Sequence, residues 1–285
     1  MSSKLNDPRL RFLIGDIRDN NRLERALEDV DVVFHAAALK HVPIVEYNPF
    51  EAVQTNILGS QNVINASLKE DVETCVCIGT DKAVSPLNTY GATKLLMEKL
   101  FITASNYLNP QRHKTKFLAV RYGNVLGSNG SVIPKISEQI KSGNKITITD
   151  PTMTRFNITM NEALDLIERA TKNGNGGEVF IPKLEAYKLS DLKDAVCEIF
   201  NKKVEEEIIS VRPGEKFHET LLNLDELRNT VESDMDYILF NDLKKNTNNY
   251  PITTMKEQYS SDNVKLIEKD KIKEIILNEK IKKLN

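Results

Sequence analysis

The sequence predicts an α/β protein with a parallel sheet and a smaller C-terminal lobe. Two observations lead there. Over the first two thirds of the chain, short β-branched runs alternate with longer helical patterns, which is how successive strand–helix–strand units read. After about Val125 the elements shorten and lose that order, as a second lobe laid against the first would do. The length of 285 residues suits one large domain or two modest ones.

Taken in order, residues 10–14 (LRFLI) read as a strand that ends at Gly15-Asp16. Residues 20–28 read as a helix with Leu23, Ala26 and Leu27 on one face. Residues 30–35 (VDVVFH) form a second, buried strand, followed by the small-residue run Ala36-Ala37-Ala38. A long helical pattern covers residues 49–67, with Val53, Ile57, Val63 and Ile64 on its apolar side. Residues 74–78 (TCVCI) are a third strand, 89–106 a second long helix and 116–121 (KFLAVR) a fourth strand. Beyond the flexible loop 127–130 come helix 132–141, strand 146–149, helix 162–171, strand 179–181, helix 190–200 and strand 207–211. The last forty or so residues are rich in Asn and Lys. Their helical pattern, 270–284, reads as a solvated face or a docking tail.

Composition excludes several classes. The 39 Lys and Arg against 41 Asp and Glu leave a net charge of −2, which gives no support for a partner bound by phosphate neutralisation, so no nucleic acid is expected. No stretch approaches the roughly 18 apolar residues of a membrane span, and residues 1–8 lack the apolar core of a secretory signal. Three cysteines do not make a disulfide framework, which points to a reducing, cytoplasmic setting. Cys75 and Cys77 follow strand alternation, and His41, His113 and His218 show no ligand spacing, so no metal is expected.

The chemistry concentrates in residues 79–95, GTDKAVSPLNTYGATKL, which start at a strand end and finish inside a helix. In open α/β sheets that carboxyl edge is where ligands bind. Tyr90 and Lys94 are spaced i, i+4 and share a helix face. An ammonium beside a phenol lowers its pKa and lets it exchange protons near neutral pH. Alone, that spacing also fits an ordinary surface Tyr and Lys. Thr80-Asp81-Lys82 just upstream adds an acid and an amine, and the three together make a proton-handling cluster.

This segment resembles the active-site stretch of the extended short-chain dehydrogenase/reductases, and within them the inverting UDP-N-acetylglucosamine 4,6-dehydratases. The resemblance runs through seven ordered stretches, FLIGDIRD (12–19), HAAALKHVPIVEYNPFEAVQTNILGSQNVI (35–64), TDKAVSPLNTYGATK (80–94), VRYGNVLGSNGSVIP (120–134), DPTMTRFNIT (150–159), RPGEKFHE (212–219) and YSSDN (259–263). The Lys after Asp81 marks the inverting branch, because the retaining enzymes carry an Asp-Glu pair there.

The resemblance implies a Rossmann-like doubly wound parallel sheet, incomplete at its N-terminus, with a smaller C-terminal substrate-binding lobe. The implied layout is a cofactor domain over 1–125, a mainly UDP-sugar lobe over 126–240 and a C-terminal docking extension over 241–285. It implies NADP as cofactor, with NAD as the alternative, a UDP-sugar substrate and a homo-oligomer. Asp16 and Ile17 would lie against the adenine, and Ala36, Ala37 and Ala38 would let the backbone approach the cofactor. A tight strand-to-helix turn would account for those alanines equally. Lys40 would line the nicotinamide and sugar. Tyr90 would take the proton of the sugar 4-hydroxyl, with Lys94 on the ribose holding Tyr90 as phenolate. Lys82 would remove the C5 proton, and Asp81 would protonate the leaving 6-hydroxyl. Tyr122, Gly123, Asn124 and Val125 would close over the nicotinamide, and Arg212 and Glu215 would bind the diphosphate. A loop ion pair between Arg212 and Glu215 is the competing reading. Arg155 is a second diphosphate contact or a structural one, and His35 is structural.

The Gly-rich turn with which the family begins does not precede these stretches, since Gly15 is the only glycine before Phe34. In the strand order 3-2-1-4-5-6 the absent strands would lie between the third and fourth. The expectation is therefore an N-terminally truncated copy, with no neighbour for the strand at residue 10 and an open apolar edge at residue 30. The alternatives to a dehydratase are a UDP-sugar 4- or 5-epimerase of the same superfamily and an inactive remnant.

Overall fold

The computed structural model describes residues 7–109, 111–128, 131–243 and 250–279. The first helix, α1 (Asn20–Leu27), starts where the Asp19 side chain accepts from Arg22 N at 3.0 Å. β1 (Val32–His35) leads into α2 (Val42–Tyr47) and α3 (Pro49–Ala52), both with proline in the first turn, where its missing N–H breaks no bond. The helix then widens to a π segment, Val53–Leu58, and returns as α4 (Gly59–Lys69). β2 (Thr74–Ile78), α5 (Thr89–Thr103) and β3 (Lys116–Val120) complete the alternating part. Next come α6 (Val132–Lys141), β4 (Ile146–Ile148), β5 (Thr154–Phe156) and α7 (Met160–Asn173), which begins with a Thr159/Glu162 capping box. β6 (Glu178–Pro182), β7 (Ala186–Lys188), α8 (Leu189–Ile199) and β8 (Glu206–Ile208) follow. The remainder is β9 (Thr220–Leu222), α9 (Leu224–Leu227), β10 (Thr230–Glu232), β11 (Asp236–Phe240), β12 (Tyr259–Ser260) and α10 (Lys269–Asn278).

Among the described residues the main sheet has the order β1-β2-β3-β6-β11-β10. Its first four strands are parallel and its last two join antiparallel. Side-chain alternation splits the core. Cys75, Cys77, Phe117 and Ala119 face Met97, Phe101 and Ile102 of α5. Val76, Leu118 and Val120 face Leu166 and Ala170 of α7. Helices on both faces make this the expected Rossmann-like arrangement. A second core joins Ile133, Ile136 and Ile140 of α6, Ile146 of β4, Leu192 and Val196 of α8 and Ile272 and Ile276 of α10.

The structure corrects four readings. Residues 10–14 are not a strand: no described segment pairs with them, and Leu10, Phe12, Leu13 and Ile14 are exposed. An apolar run without a neighbouring strand has nothing to bond its backbone. The strand at residue 30 is not buried; among the described residues it forms the open apolar edge also expected there, with Val32 and Phe34 exposed. The long helix contains the π segment. β6, β11 and β10 join the main sheet, so the sheet does not stop at residue 125. The C-terminal helix is a docked element: Ile272 and Ile276 are fully buried, and Lys269 and Lys273 pair with Glu198 of α8. Its residues 280–285 lie outside the described residues, as do 129–130 of the predicted loop and the first six of the chain. Among the described residues no helix is long and apolar enough to cross a membrane.

Candidate active site

β2 delivers the site. At its carboxyl end Gly79 N donates to Val120 O at 2.7 Å and Asp81 N to Tyr122 O at 3.1 Å, so the chain leaves the sheet beside the end of β3. There Thr80 caps a single 3-10 turn, Asp81–Ala83. The turn lies hard against α5: a Cβ on Gly91 would sit 2.3 Å from Lys82 O, which only glycine avoids. Asn88 accepts from Gly91 N at 2.8 Å and caps α5, while its Nδ2 donates to Gly214 O at 2.9 Å and ties down the loop of Arg212 and Glu215.

At the centre Lys82 Nζ donates to Asp81 Oδ1 at 3.0 Å, and to Asn124 Oδ1 and Glu219 Oε1 at 3.4 Å each. Asp81 is 1% exposed and Glu219 4%. Burial raises the Asp81 pKa, Glu219 raises it further, and Lys82 opposes both. Burial acts the same way on Glu219, but Lys82, Arg155 and Lys216 outweigh it and hold that carboxyl below its ordinary value. Burial would lower Lys82, yet Asp81 and Glu219 together raise it. Two buried carboxylates and one half-buried amine thus share a site with their proton affinities pushed apart.

Tyr90 and Lys94 both sit on the buried side of α5. Lys94 Nζ donates to Ile78 O at 2.7 Å, under the end of β2. Burial raises the Tyr90 pKa, and the charge that opposes it is that of Lys82. Burial also lowers the pKa of Lys94.

A family model described as polysaccharide biosynthesis protein matches residues 1–240. The chain belongs to that family. It is 42% identical over 275 residues to a Campylobacter jejuni UDP-N-acetylglucosamine 4,6-dehydratase (inverting), covering 92% of this chain and 80% of the relative. It is 39% identical over 283 residues to a Rickettsia rickettsii UDP-glucose 4-epimerase, 97% and 82% covered. A Methanocaldococcus jannaschii relative, 46% identical over 284 residues and 97% and 83% covered, is described as an uncharacterized membrane protein. The X-ray structure of Pen from Bacillus thuringiensis superposes with a TM-score of 0.90 at 41% identity, covering 98% of this chain and 85% of that one. The resemblance read from the motifs is thereby borne out.

The remaining expected residues fall at several places in the chain. Ala36 and Ala37 are exposed and Ala38 half-buried just past β1, with Lys40 beside them. Asn56, buried in the π segment, accepts from Leu39 N at 2.7 Å and donates to Leu39 O and Thr93 Oγ1 at 3.0 Å, which fixes that run against α5. Tyr122, Gly123 and Asn124 leave β3 beside Asp81, and Val125 bridges Ile158. These residues join Asp81, Lys82 and Tyr90 along one edge of the sheet. Asp16 and Ile17 stand apart from it: Asp16 is exposed and paired with Arg18, and Ile17 packs on Gly59. Arg212 is exposed, and Glu215 pairs at 3.4 Å with Arg155 rather than with the Arg212 guanidinium. The 212–215 turn is closed instead by Glu215 N donating to Arg212 O at 3.0 Å. Arg155 is buried and donates to Thr154 O and Phe217 O at 2.7 and 3.0 Å, so it braces the loop. His35 is structural, bonded to Ser60 and stacked on Phe101.

Glu219 and Asn56 are the residues that the motifs did not single out. Both were inside family-like stretches, and nothing in their neighbours' chemistry marked them. Among the described residues no group of three or more His, Cys, Asp or Glu is placed to hold a metal.

A dinucleotide needs small residues where the backbone meets it and a donor near its ribose. Ala36 and Ala37 at the end of β1, and Lys94 beneath the end of β2, fit its nicotinamide side. A Cβ on Gly15 would meet only the Arg22 side chain, at 2.8 Å, so Gly15 forms no cradle for the pyrophosphate.

Proposed function

We propose that the chain carries the active site of a UDP-sugar 4,6-dehydratase acting on UDP-N-acetylglucosamine, with inversion at C5, in the synthesis of a surface polysaccharide or glycan. The observation that carries this reading is the pair of the half-buried Lys82 and the buried Asp81 at 3.0 Å, at the sheet's carboxyl edge and beside Tyr90. Removal of a hydroxyl from C6 needs an acid and a base at neighbouring carbons, and a pair of this kind supplies both.

When bound, NADP (or NAD) supplies the hydride acceptor for C4 and the hydride donor for C6. Tyr90 takes the proton of the 4-hydroxyl, and the ketone this leaves acidifies C5–H. With the proton of the pair resting on Asp81, Lys82 is an amine and takes the C5 proton. The C5–H electron pair becomes the C5=C6 bond as the C6–O bond breaks, and Asp81 gives its proton to the departing oxygen. Water leaves, with Asp81 as carboxylate and Lys82 as ammonium; once C6 is reduced, C5 takes a solvent-derived proton on the opposite face, which gives the inversion. Ala36, Ala37, Ala38, Lys40 and Lys94, together with Tyr122, Asn124 and Val125, hold the nicotinamide side. Asp16 and Ile17 hold the adenosine side. Lys40, Asn124, Arg212 and Glu215 hold the sugar nucleotide, mainly in the lobe after residue 125. The working form is a homo-oligomer in the cytoplasm.

The test is incubation with UDP-N-acetylglucosamine and NADP⁺ in D₂O, followed by proton NMR. The expected product is a 6-deoxy-4-keto sugar with deuterium at C5. A second reading, 4-epimerisation, is favoured by the relatives named UDP-glucose 4-epimerase. The two readings part at Lys82→Ala. A dehydratase loses activity by roughly 10²–10⁴-fold. An epimerase that needs only Tyr90 and Lys94 keeps interconverting the C4 epimers.

A further inference from the structure

Three charged side chains meet inside the site, and the mechanism above uses only two of them. Glu219 Oε1 lies 3.4 Å from Lys82 Nζ and 3.7 Å from Arg155 Nε. Its other oxygen, Oε2, is buried and makes no hydrogen bond among the described residues. Its backbone is pinned from the far side, where Glu219 N donates to Ser261 Oγ at 2.9 Å. A carboxylate buried this deeply with half its bonding unmet is costly for the fold, and Lys82 bonds only Oε1. The groups around it are Asp81 and Lys82 from the turn after β2, Arg155 from β5, Tyr187 from β7 and Lys216 from its own loop.

We propose that Glu219 is the positioning residue of the Asp81–Lys82 pair, a fixed anion that holds the Lys82 amine against Asp81 and steadies the ammonium formed when Lys82 takes the C5 proton. The logic is that of a carboxylate placed behind a general base, where it stabilises the charge the base acquires. It also divides the work of the two acids. Glu219 faces Lys82, Arg155 and Lys216 and stays ionised, and its charge makes the neighbouring Asp81 reluctant to lose the proton it must deliver. The chemical role rests on the dehydratase reading, whereas the charge coupling within the trio stands without it.

The experiment is therefore run at two levels on the full chain. In the free protein, the Asp81 carboxyl carbon is followed by ¹³C NMR against pH and assigned with Asp81→Asn. Glu219→Gln is expected to move its midpoint down by about one to three pH units, since an anion a few ångströms away is gone. With UDP-N-acetylglucosamine and NADP⁺, the same variant is expected to lower kcat by roughly 10²-fold with little change in KM. Removing negative charge lowers both apparent pKa values of the cluster, so both limbs of the kcat–pH profile move to lower pH. A brace for the fold alone would reduce the amount of active protein and leave both limbs where they are. If Glu219→Gln does not fold, Glu219→Asp keeps a charge for Arg155 while withdrawing it from Lys82, and a smaller downward move of the same midpoint is expected. An unmoved Asp81 midpoint overturns the inference. A wild-type chain that shows the coupling but makes no 4-keto-6-deoxy product overturns the dehydratase reading instead.

Discussion

At the scale of single residues, burial decides which titratable groups do chemistry and which only hold the fold. His35 ends β1, is 4% exposed and has its pKa lowered to about 4 by burial and then by the Lys94 charge. The folded chain therefore binds fewer protons here than the unfolded one between pH 6.5 and about 4. The contribution is complete above pH 6.5 and is lost as pH falls through about 4, for a total of about 3 kcal/mol. His35→Gln, whose amide still reaches Ser60 and does not titrate, is expected to show a shallower loss of stability from pH 7 to 4.5 in urea unfolding. Equal slopes for the two proteins would show that His35 plays no part in acid sensitivity. Lys94 illustrates the converse. Its i, i+4 relation to Tyr90 was legible in the sequence, but the depth at which α5 buries it, and its bond to Ile78 O, were not.

Elements place these residues by close approach. The turn Asp81–Ala83 and the start of α5 are in contact because residue 91 has no side chain. Gly91→Ala would force the Lys82 carbonyl away, at about 1–3 kcal/mol for overpacking. Because the displaced turn carries both Asp81 and Lys82, kcat is expected to fall further than stability does, by ~10²-fold. Urea unfolding and initial rates on one preparation would check this, and a variant with unchanged kcat would mean that the turn relaxes independently of its chemistry. β2, β3 and β6 were readable because each is a β-branched or apolar run, and each has a neighbour on both sides. Residues 10–14 carry an equally good run and still form no strand, because propensity cannot supply the partner that a ladder needs. The π segment was unreadable for a related reason: an extra residue per turn leaves no mark in an apolar pattern, although it sets Asn56 over Leu39 and Thr93.

Across the whole molecule, distant parts of the chain are joined by a buried charge network. Arg121, fully enclosed at the end of β3, donates to Glu98 of α5 at 2.6 and 3.0 Å, to Glu226 of α9 at 2.9 and 3.0 Å and to Leu221 O at 2.8 Å. Its partners lie 23 and 105 residues away in the chain, so the network forms only when the alternating part and the later segments have come together. Arg121→Met would leave two carboxylates buried without their cation and is expected to cost about 3–5 kcal/mol in urea unfolding. A loss under 1 kcal/mol would mean that the site rehydrates. The sequence by itself determined the α/β class, most of the helices and strands, the family and the Asp81-Lys82, Tyr90 and Lys94 cluster, because each is written in patterns a few residues long. Only the tertiary structure decided that Arg155 braces a loop, that the C-terminal helix is core and that Glu219 lies beside Lys82. Lys82 and Glu219 are 137 positions apart. Nothing local brings them together, and only packing sets the two side chains 3.4 Å apart.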